Sequence, residues 1–233
     1  MSKGAIVTGA SAGIGAATAT LLVDQGYAVV NVARRPAPDS RVQNVLADLA
    51  KPLSGTNLAD LATVCEQHNQ VALVHCAGLL TSDSATDVDR ATLQHALAVN
   101  VVAPAGLNAA LIPRMNRGSS IIFVGSTLGD KAVAGAYSYV ACKHAVNGLM
   151  RATCQDLAGR DIHTAVVSPG FTDTQMLREH VGHDATILTS IAAGVTFNRL
   201  ATPVEIAETI AFCARSPVIN GSVIHANLGQ IEH

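Results

Sequence analysis

Ala5-Ile6-Val7-Thr8-Gly9-Ala10-Ser11-Ala12-Gly13-Ile14-Gly15 reads as a strand running into a glycine-rich turn, then an Ala-rich helix to about Gln25. Gly9, Gly13 and Gly15 permit a tight turn and close backbone approach. The helix that follows turns free N–H groups and its positive dipole end towards a phosphate. The spacing is G-x-x-x-G-x-G, not the commoner G-x-G-x-x-G. A ligand-free turn is the simpler alternative, but the placement between strand and helix favours a phosphate cradle.

Outward from this stretch, apolar runs alternate with helix-like segments along the whole chain. That pattern predicts an α/β fold: a single-domain, Rossmann-type, doubly wound parallel sheet of about seven strands with helices on both faces. Strands are expected at 5–7, 28–32, 42–46, 71–75, 119–124, 161–167 and 221–226. Helices are expected at 58–67, 86–100 (capped by Thr86 or Asp87), 104–115, through Tyr139 to about Leu157, and 203–214. Pro203 and Glu205 suit the first turn of the last helix. The segment 175–198 looks irregular. No linker or repeat divides residues 1–233, so one domain is expected.

The second strand ends in Ala33-Arg34-Arg35, where such folds often place an acid for a ribose hydroxyl. An acid would repel a 2′-phosphate, whereas Arg pairs with it through a planar fork. This favours NADP(H), with NAD(H) second. Pro36 to Arg41 is proline-broken and too short for a full crossover helix. Asp48 suits an adenine amino group or a helix N-cap. His75-Cys76-Ala77-Gly78 ends a strand in a second small-residue turn. Asn100 lies in an apolar setting, so its amide must be satisfied, by bracing backbone or by holding a water.

Tyr139-Val140-Ala141-Cys142-Lys143 carries the chemistry. Residues four apart share a helix face, so the Lys143 ammonium lies beside the Tyr139 phenol. A nearby cation favours phenolate, and such a phenol can exchange a proton with a carbonyl or an alcohol. Tyr137 lacks this partner, since Ala141 stands four residues on. Ser126 lies at the carboxyl end of a strand, the edge where ligands bind in open α/β sheets.

Composition excludes several classes. The chain is 49% hydrophobic and 14% charged, which fits a globular core. A net charge of −2, with no basic run beyond Arg34-Arg35, disfavours nucleic acid. Apolar stretches fall short of the roughly 18 residues a membrane span needs. No signal-peptide pattern opens the chain. Five cysteines without a CxxC pair suggest free thiols and a cytoplasmic setting. His180 and His183 form HxxH without further ligands and read as solvated, so no metal is expected.

TGASAGIG at 8–15, HCAG at 75–78, Asn100, Ser126, YVACK at 139–143 and SPGFTDT at 168–174, in this order, resemble the short-chain dehydrogenase/reductase family over essentially the whole chain. The resemblance implies a centre of Ser126, Tyr139, Lys143 and Asn100. Tyr139 would be the general acid/base, and Lys143 would lower its pKa and hold the nicotinamide ribose. Ser126 would bind the substrate oxygen, and Asn100 would hold a relay water. Gly9, Ser11, Ile14, Arg34, Asp48, Ala77 and Thr174 map onto family cofactor contacts. Gly13, Gly15, Arg35, Gly78, Pro169, Gly170 and Thr172 complete the cofactor set. Residues 175–198 map onto a substrate lid whose few charges suggest a neutral or apolar substrate. A homo-oligomer, tetramer or dimer, is implied.

Three departures stand out: His75-Cys76 replaces two asparagines, Ala12 is not basic, and the second crossover helix is missing. The leading expectation is an NADP-dependent reductase of a ketone or 3-oxoacyl group, or the reverse oxidation, on a small-molecule carbonyl or alcohol. The shortened crossover and SPGFTDT are also similar to NAD-dependent dihydrodiol dehydrogenases, against which Arg34 argues. A cofactor-binding regulator without catalysis would be expected to lack part of the Asn-Ser-Tyr-Lys set, which is complete.

Overall fold

In the computed structural model, which describes residues 2–231, the first apolar run forms β1 (Lys3–Thr8). Alternate residues of a strand point to opposite faces. Ala5 and Val7 therefore enter one core, and Ile6 the other. The chain continues through α1 (Gly13–Asp24), β2 (Ala28–Ala33), β3 (Gln43–Leu46), α2 (Gly55–Gln67) and β4 (Gln70–His75). Next come α3 (Arg90–Leu97), a π-helical turn at Ala98–Val102, α4 (Ala103–Leu111) and β5 (Ser120–Val124). The remainder is α5 (Tyr137–Asp156), β6 (His163–Pro169), α6 (Gln175–His180), α7 (Ala185–Ala193), α8 (Pro203–Arg215) and β7 (Ser222–Ala226).

The seven strands form one sheet in the order β3-β2-β1-β4-β5-β6-β7, and every pair is parallel. Buried residues of α1 and α8, among them Leu22, Ile206 and Ile210, cover one face. Leu61 of α2, Leu107 and Leu111 of α4, and Val146 and Met150 of α5 cover the other. Burying each such side chain contributes about 1.5–3 kcal/mol. Strand order reverses between β1 and β4, so their carboxyl ends open the crevice where such sheets bind ligands.

The absence of a full crossover helix before β3 is observed, as expected. Other boundaries differ. The helix expected at 86–100 starts at Arg90 and is capped by Asp89, whose carboxylate accepts from the Ala91 and Thr92 N–H groups. Asp87 instead closes a turn with Ser84. Asp48 is not a helix cap: Ser54 caps α2, and Asp48 accepts from the Ala50 N–H at 3.1 Å in a turn. The segment 175–198 holds two helices, started by Thr174 and Asp184 side-chain caps. Short helices with local caps leave little periodic signal.

Arg90–Arg114 forms a helical run of 25 residues that contains an 18-residue window of mean hydropathy 1.6, long and apolar enough by composition to cross a membrane. Uncharged polar residues break its apolar stretches, so the sequence reading passed over it. In the fold its α4 half lies against the sheet through Leu107 and Leu111, and its α3 half packs against α5. Ala96, Leu107 and Leu111 are buried, and Asn100 and Asn108 bond inward to Leu79 and His75.

Candidate active site

The crevice begins where β1 and β4 end side by side, with Thr8 paired to His75. Thr8 Oγ1 accepts from the Cys76 and Ala77 N–H groups, both at 3.0 Å, and so ties the two turns together. Gly9 has φ +73°, and a Cβ there would stand 2.8 Å from Ala77 Cα. A Cβ on Gly15 would stand 2.4 Å from the Gly9 carbonyl oxygen. α1 begins after Ala12, which offers no side-chain cap, and carries no acid in its first turn. Its N–H groups are thus free of protein acceptors from side chains, which suits a bound phosphate. Gly13 lies beside Thr174, whose side chain also caps α6. The phosphate turn and the start of 175–198 therefore meet.

Asn31 has no side-chain exposure at all, in the middle of β2. Its Oδ1 accepts from the Ala10 N–H at 3.0 Å. Its Nδ2 donates to the Arg35 carbonyl at 3.1 Å and to Asn44 Oδ1 at 2.9 Å. Asn44 also accepts from the Ala37 N–H at 2.8 Å and donates to the Val42 carbonyl. Two asparagines thus shape the loop between β2 and β3 where the crossover helix is missing. They set the glycine turn and the Arg34-Arg35 loop against each other. Neither was singled out from sequence, although a polar residue inside Val29-Val30-Asn31-Val32 has to find partners. Asn31→Ala leaves the Ala10 N–H unpaired, a loss of about 1–3 kcal/mol. We expect a lower urea midpoint and weaker NADPH binding. Wild-type values of both would deny Asn31 this bracing role.

Arg34 and Arg35 are exposed at the end of β2. Among the described residues neither forms an ion pair, whereas Arg41 pairs with Asp24 and Asp39. Both guanidiniums face solvent at the carboxyl end of β2.

Lys143 is only 5% exposed, and its Nζ donates to the Val124 carbonyl at 2.9 Å. The same nitrogen lies 5.4 Å from the centre of the Tyr139 ring. This is the one-turn stacking expected from their spacing on α5. A Cβ on Gly78 would approach Asn100 Oδ1 to 3.2 Å and Lys143 Nζ to 3.8 Å. Gly78 is therefore where Asn100, Lys143 and the β4 turn converge. Asn100 sits in the π-helical turn. Its Nδ2 donates to the Leu79 and Ala96 carbonyls, and its Oδ1 accepts from the Leu79 N–H at 3.2 Å. It braces the strand-end turn, and one Oδ1 lone pair stays free.

Ser126 follows β5 by two residues, and its Oγ accepts from the Leu128 N–H at 3.1 Å, leaving its own proton to give. Gly170 donates to the Ala226 carbonyl, and Thr172 Oγ1 donates to the Gly170 carbonyl. Pro169, Gly170 and Thr172 are thereby fixed at the end of β6. Asp48 is exposed.

Burial pushes the Cys76 thiol up to about 12, against the pull of the Lys143 ammonium, so it is not a nucleophile at neutral pH. Burial lowers His75 to about 4, against a hydrogen bond from Nε2 to Asn108 Oδ1 at 2.8 Å. His75 is thus a neutral, structural replacement for asparagine. Cys142 is buried, with its thiol also raised by burial. All five cysteines are free. Among the described residues no group of His, Cys, Asp and Glu side chains could hold a metal ion.

The adh_short_C2 family profile, described as enoyl-(acyl carrier protein) reductase, matches residues 9–230. The 3-oxoacyl-(acyl-carrier-protein) reductase FabG of Vibrio harveyi is 30% identical, over 98% of this chain and 97% of its own length. A cis-4-hydroxycyclohexanecarboxylate dehydrogenase of Sinomonas cyclohexanicum is 34% identical, over 90% of this chain and 88% of its own. The ligand-free aldohexose dehydrogenase of Thermoplasma acidophilum superposes with a TM-score of 0.90 at 25% identity. That match covers 98% of this chain and 94% of the other.

Proposed function

Because the chain belongs to the short-chain dehydrogenase/reductase family, we propose that it is an NADP(H)-dependent reductase of a ketone or 3-oxoacyl group. The reverse oxidation of a secondary alcohol uses the same site. Membership makes the chain an NAD(P)-dependent oxidoreductase. The observation that carries the catalytic reading is the Tyr139–Lys143 pair, a phenol with a buried ammonium 5.4 Å from its ring centre, and the NADP(H) preference rests on the exposed Arg34 and Arg35.

When bound, the nicotinamide cofactor supplies or takes up the hydride. The uncapped start of α1 would hold its pyrophosphate, and Arg34 and Arg35 would hold its 2′-phosphate. Ser126 donates a hydrogen bond to the substrate oxygen. Tyr139 protonates that oxygen in reduction and recovers the proton in oxidation. The Lys143 ammonium stabilises the phenolate left behind. The free lone pair of Asn100 accepts from a water that returns a proton through Lys143. Residues 175–198 act as a substrate lid closing over the crevice. The substrate is neutral or apolar, and the protein works in the cytoplasm as a homo-oligomer.

The 34% relative is named for a cyclic alcohol, which favours a second reading: NAD-dependent oxidation of an alicyclic alcohol or diol. Titration with NADPH and NADH, followed by nicotinamide fluorescence, separates the two. We expect tighter NADPH binding, and Arg34→Asp should weaken it by about tenfold or more, a loss of at least ~1.4 kcal/mol. Tighter NADH binding by the wild type would overturn the 2′-phosphate assignment and direct the substrate search to alcohols.

A further inference from the structure

α5 begins without a local cap. Ala136 precedes it, offers no side-chain acceptor, and no acid stands in its first turn. A residue 55 positions earlier takes that role. Asp83 lies in the segment after β4 and is 8% exposed; Ser138 is fully buried. Asp83 Oδ1 accepts from the Ser138 backbone N–H at 3.0 Å, and Oδ2 accepts from the Ser138 hydroxyl. Thr81 Oγ1 donates to the same carboxylate at 3.3 Å. The backbones are joined as well. The Asp83 N–H donates to the Gly135 carbonyl at 3.2 Å, and the Tyr137 N–H donates to the Asp83 carbonyl at 3.0 Å. These bonds form an isolated parallel bridge between Asp83 and Ala136.

We propose that Asp83 is the positioning residue for Tyr139, a remote N-cap that fixes the first turn of α5 to the segment leaving β4. The inference rests on the role given above to Tyr139. A carboxylate on a first-turn N–H satisfies an orphan donor and complements the positive end of the helix dipole. Tyr139 directly follows the clamped Ser138. The phenol position is thus set by an element that borders the crevice through Gly78 and Leu79, not by α5 alone. A displacement of about 1 Å at a reacting group can cost on the order of 100-fold in rate.

The test uses the full chain and two readouts: hydrogen exchange of amides 138–140, and NADPH-dependent reduction of acetoacetyl-coenzyme A. Asp83→Ala should speed exchange in 138–140 while the second half of α5 keeps wild-type protection. It should lower kcat about tenfold, with KM and the NADPH dissociation constant near wild type. Asp83→Asn keeps an acceptor for the Ser138 N–H and should recover most of both losses. Wild-type exchange at 138–140 in Asp83→Ala would overturn the proposal. So would an exchange increase spread evenly over the chain, or no recovery in Asp83→Asn. If Asp83→Ala fails to fold, Ser138→Ala removes only the hydroxyl bond and should still speed exchange at 138–140; no change there overturns the proposal. Tyr139→Phe is the control. Retained turnover in that variant sinks the Tyr139 assignment, while the exchange result still decides whether Asp83 places the turn.

Discussion

Tyr139→Phe should abolish measurable turnover, with kcat reduced by roughly 10²–10⁴-fold, the usual worth of a general acid/base. The variant loses one hydroxyl and keeps the ring. The ring lies over the Lys143 ammonium, and Lys143 is held independently by the Val124 carbonyl at 2.9 Å. Helix α5 is also anchored elsewhere, by buried Cys142, Val146 and Met150. Fold and cofactor pocket should therefore survive, and NADPH titration should give a wild-type dissociation constant. Steady-state reduction of a ketone panel, with that titration alongside, separates lost chemistry from lost binding. Turnover within a few-fold of wild type would remove Tyr139 from the acid/base role.

Gly9→Val should both destabilise the fold and eliminate cofactor binding. Gly9 has φ +73°, a region that costs an L-residue about 1–2 kcal/mol, and a β-branched one more. Its Cβ would meet Ala77 Cα at 2.8 Å and the Ala77 nitrogen at 3.0 Å, backbone atoms that cannot rotate away. Overpacking of this kind typically costs a further 1–3 kcal/mol or so. Relief requires parting the β1 and β4 turns that Thr8 Oγ1 ties together. The same parting moves the uncapped start of α1, where the phosphate is proposed to bind. Urea denaturation should show a loss of about 3 kcal/mol. Nicotinamide fluorescence should show no saturable NADPH binding. A stable variant that still binds NADPH would mean that the turn relaxes locally and that the close approach to Ala77 is dispensable.

The sheet is legible because most strands are apolar runs bounded by turn residues, although β3 (Gln43–Leu46) buries only Val45. The start of α3 is ambiguous in the sequence because Thr86, Asp87 and Asp89 are all good caps. The packing of α3 against α5, which buries Ala96 completely, selects Asp89. The helices of 175–198 are not legible because α6 is six residues long, below the length at which helical periodicity becomes visible. Tyr139 and Lys143 were legible because four residues on a helix is a fixed distance. Asn31 carried a faint signal as a polar residue in an apolar strand. Asp83 carried none, since its partner lies 55 residues away.

By itself the sequence determined the alternation of strand and helix, the glycines that let the turn close, and the one-turn spacing of phenol and ammonium. These depend on neighbours in the chain, so local periodicity and backbone freedom are enough to read them. The tertiary structure alone decided how the ends of β1 and β4 lock through Thr8, and how Asn31 and Asn44 replace a helix. It also decided which carboxylate caps α5. Those contacts join residues far apart in the chain, and a buried donor takes whichever acceptor the packed fold brings within about 3 Å.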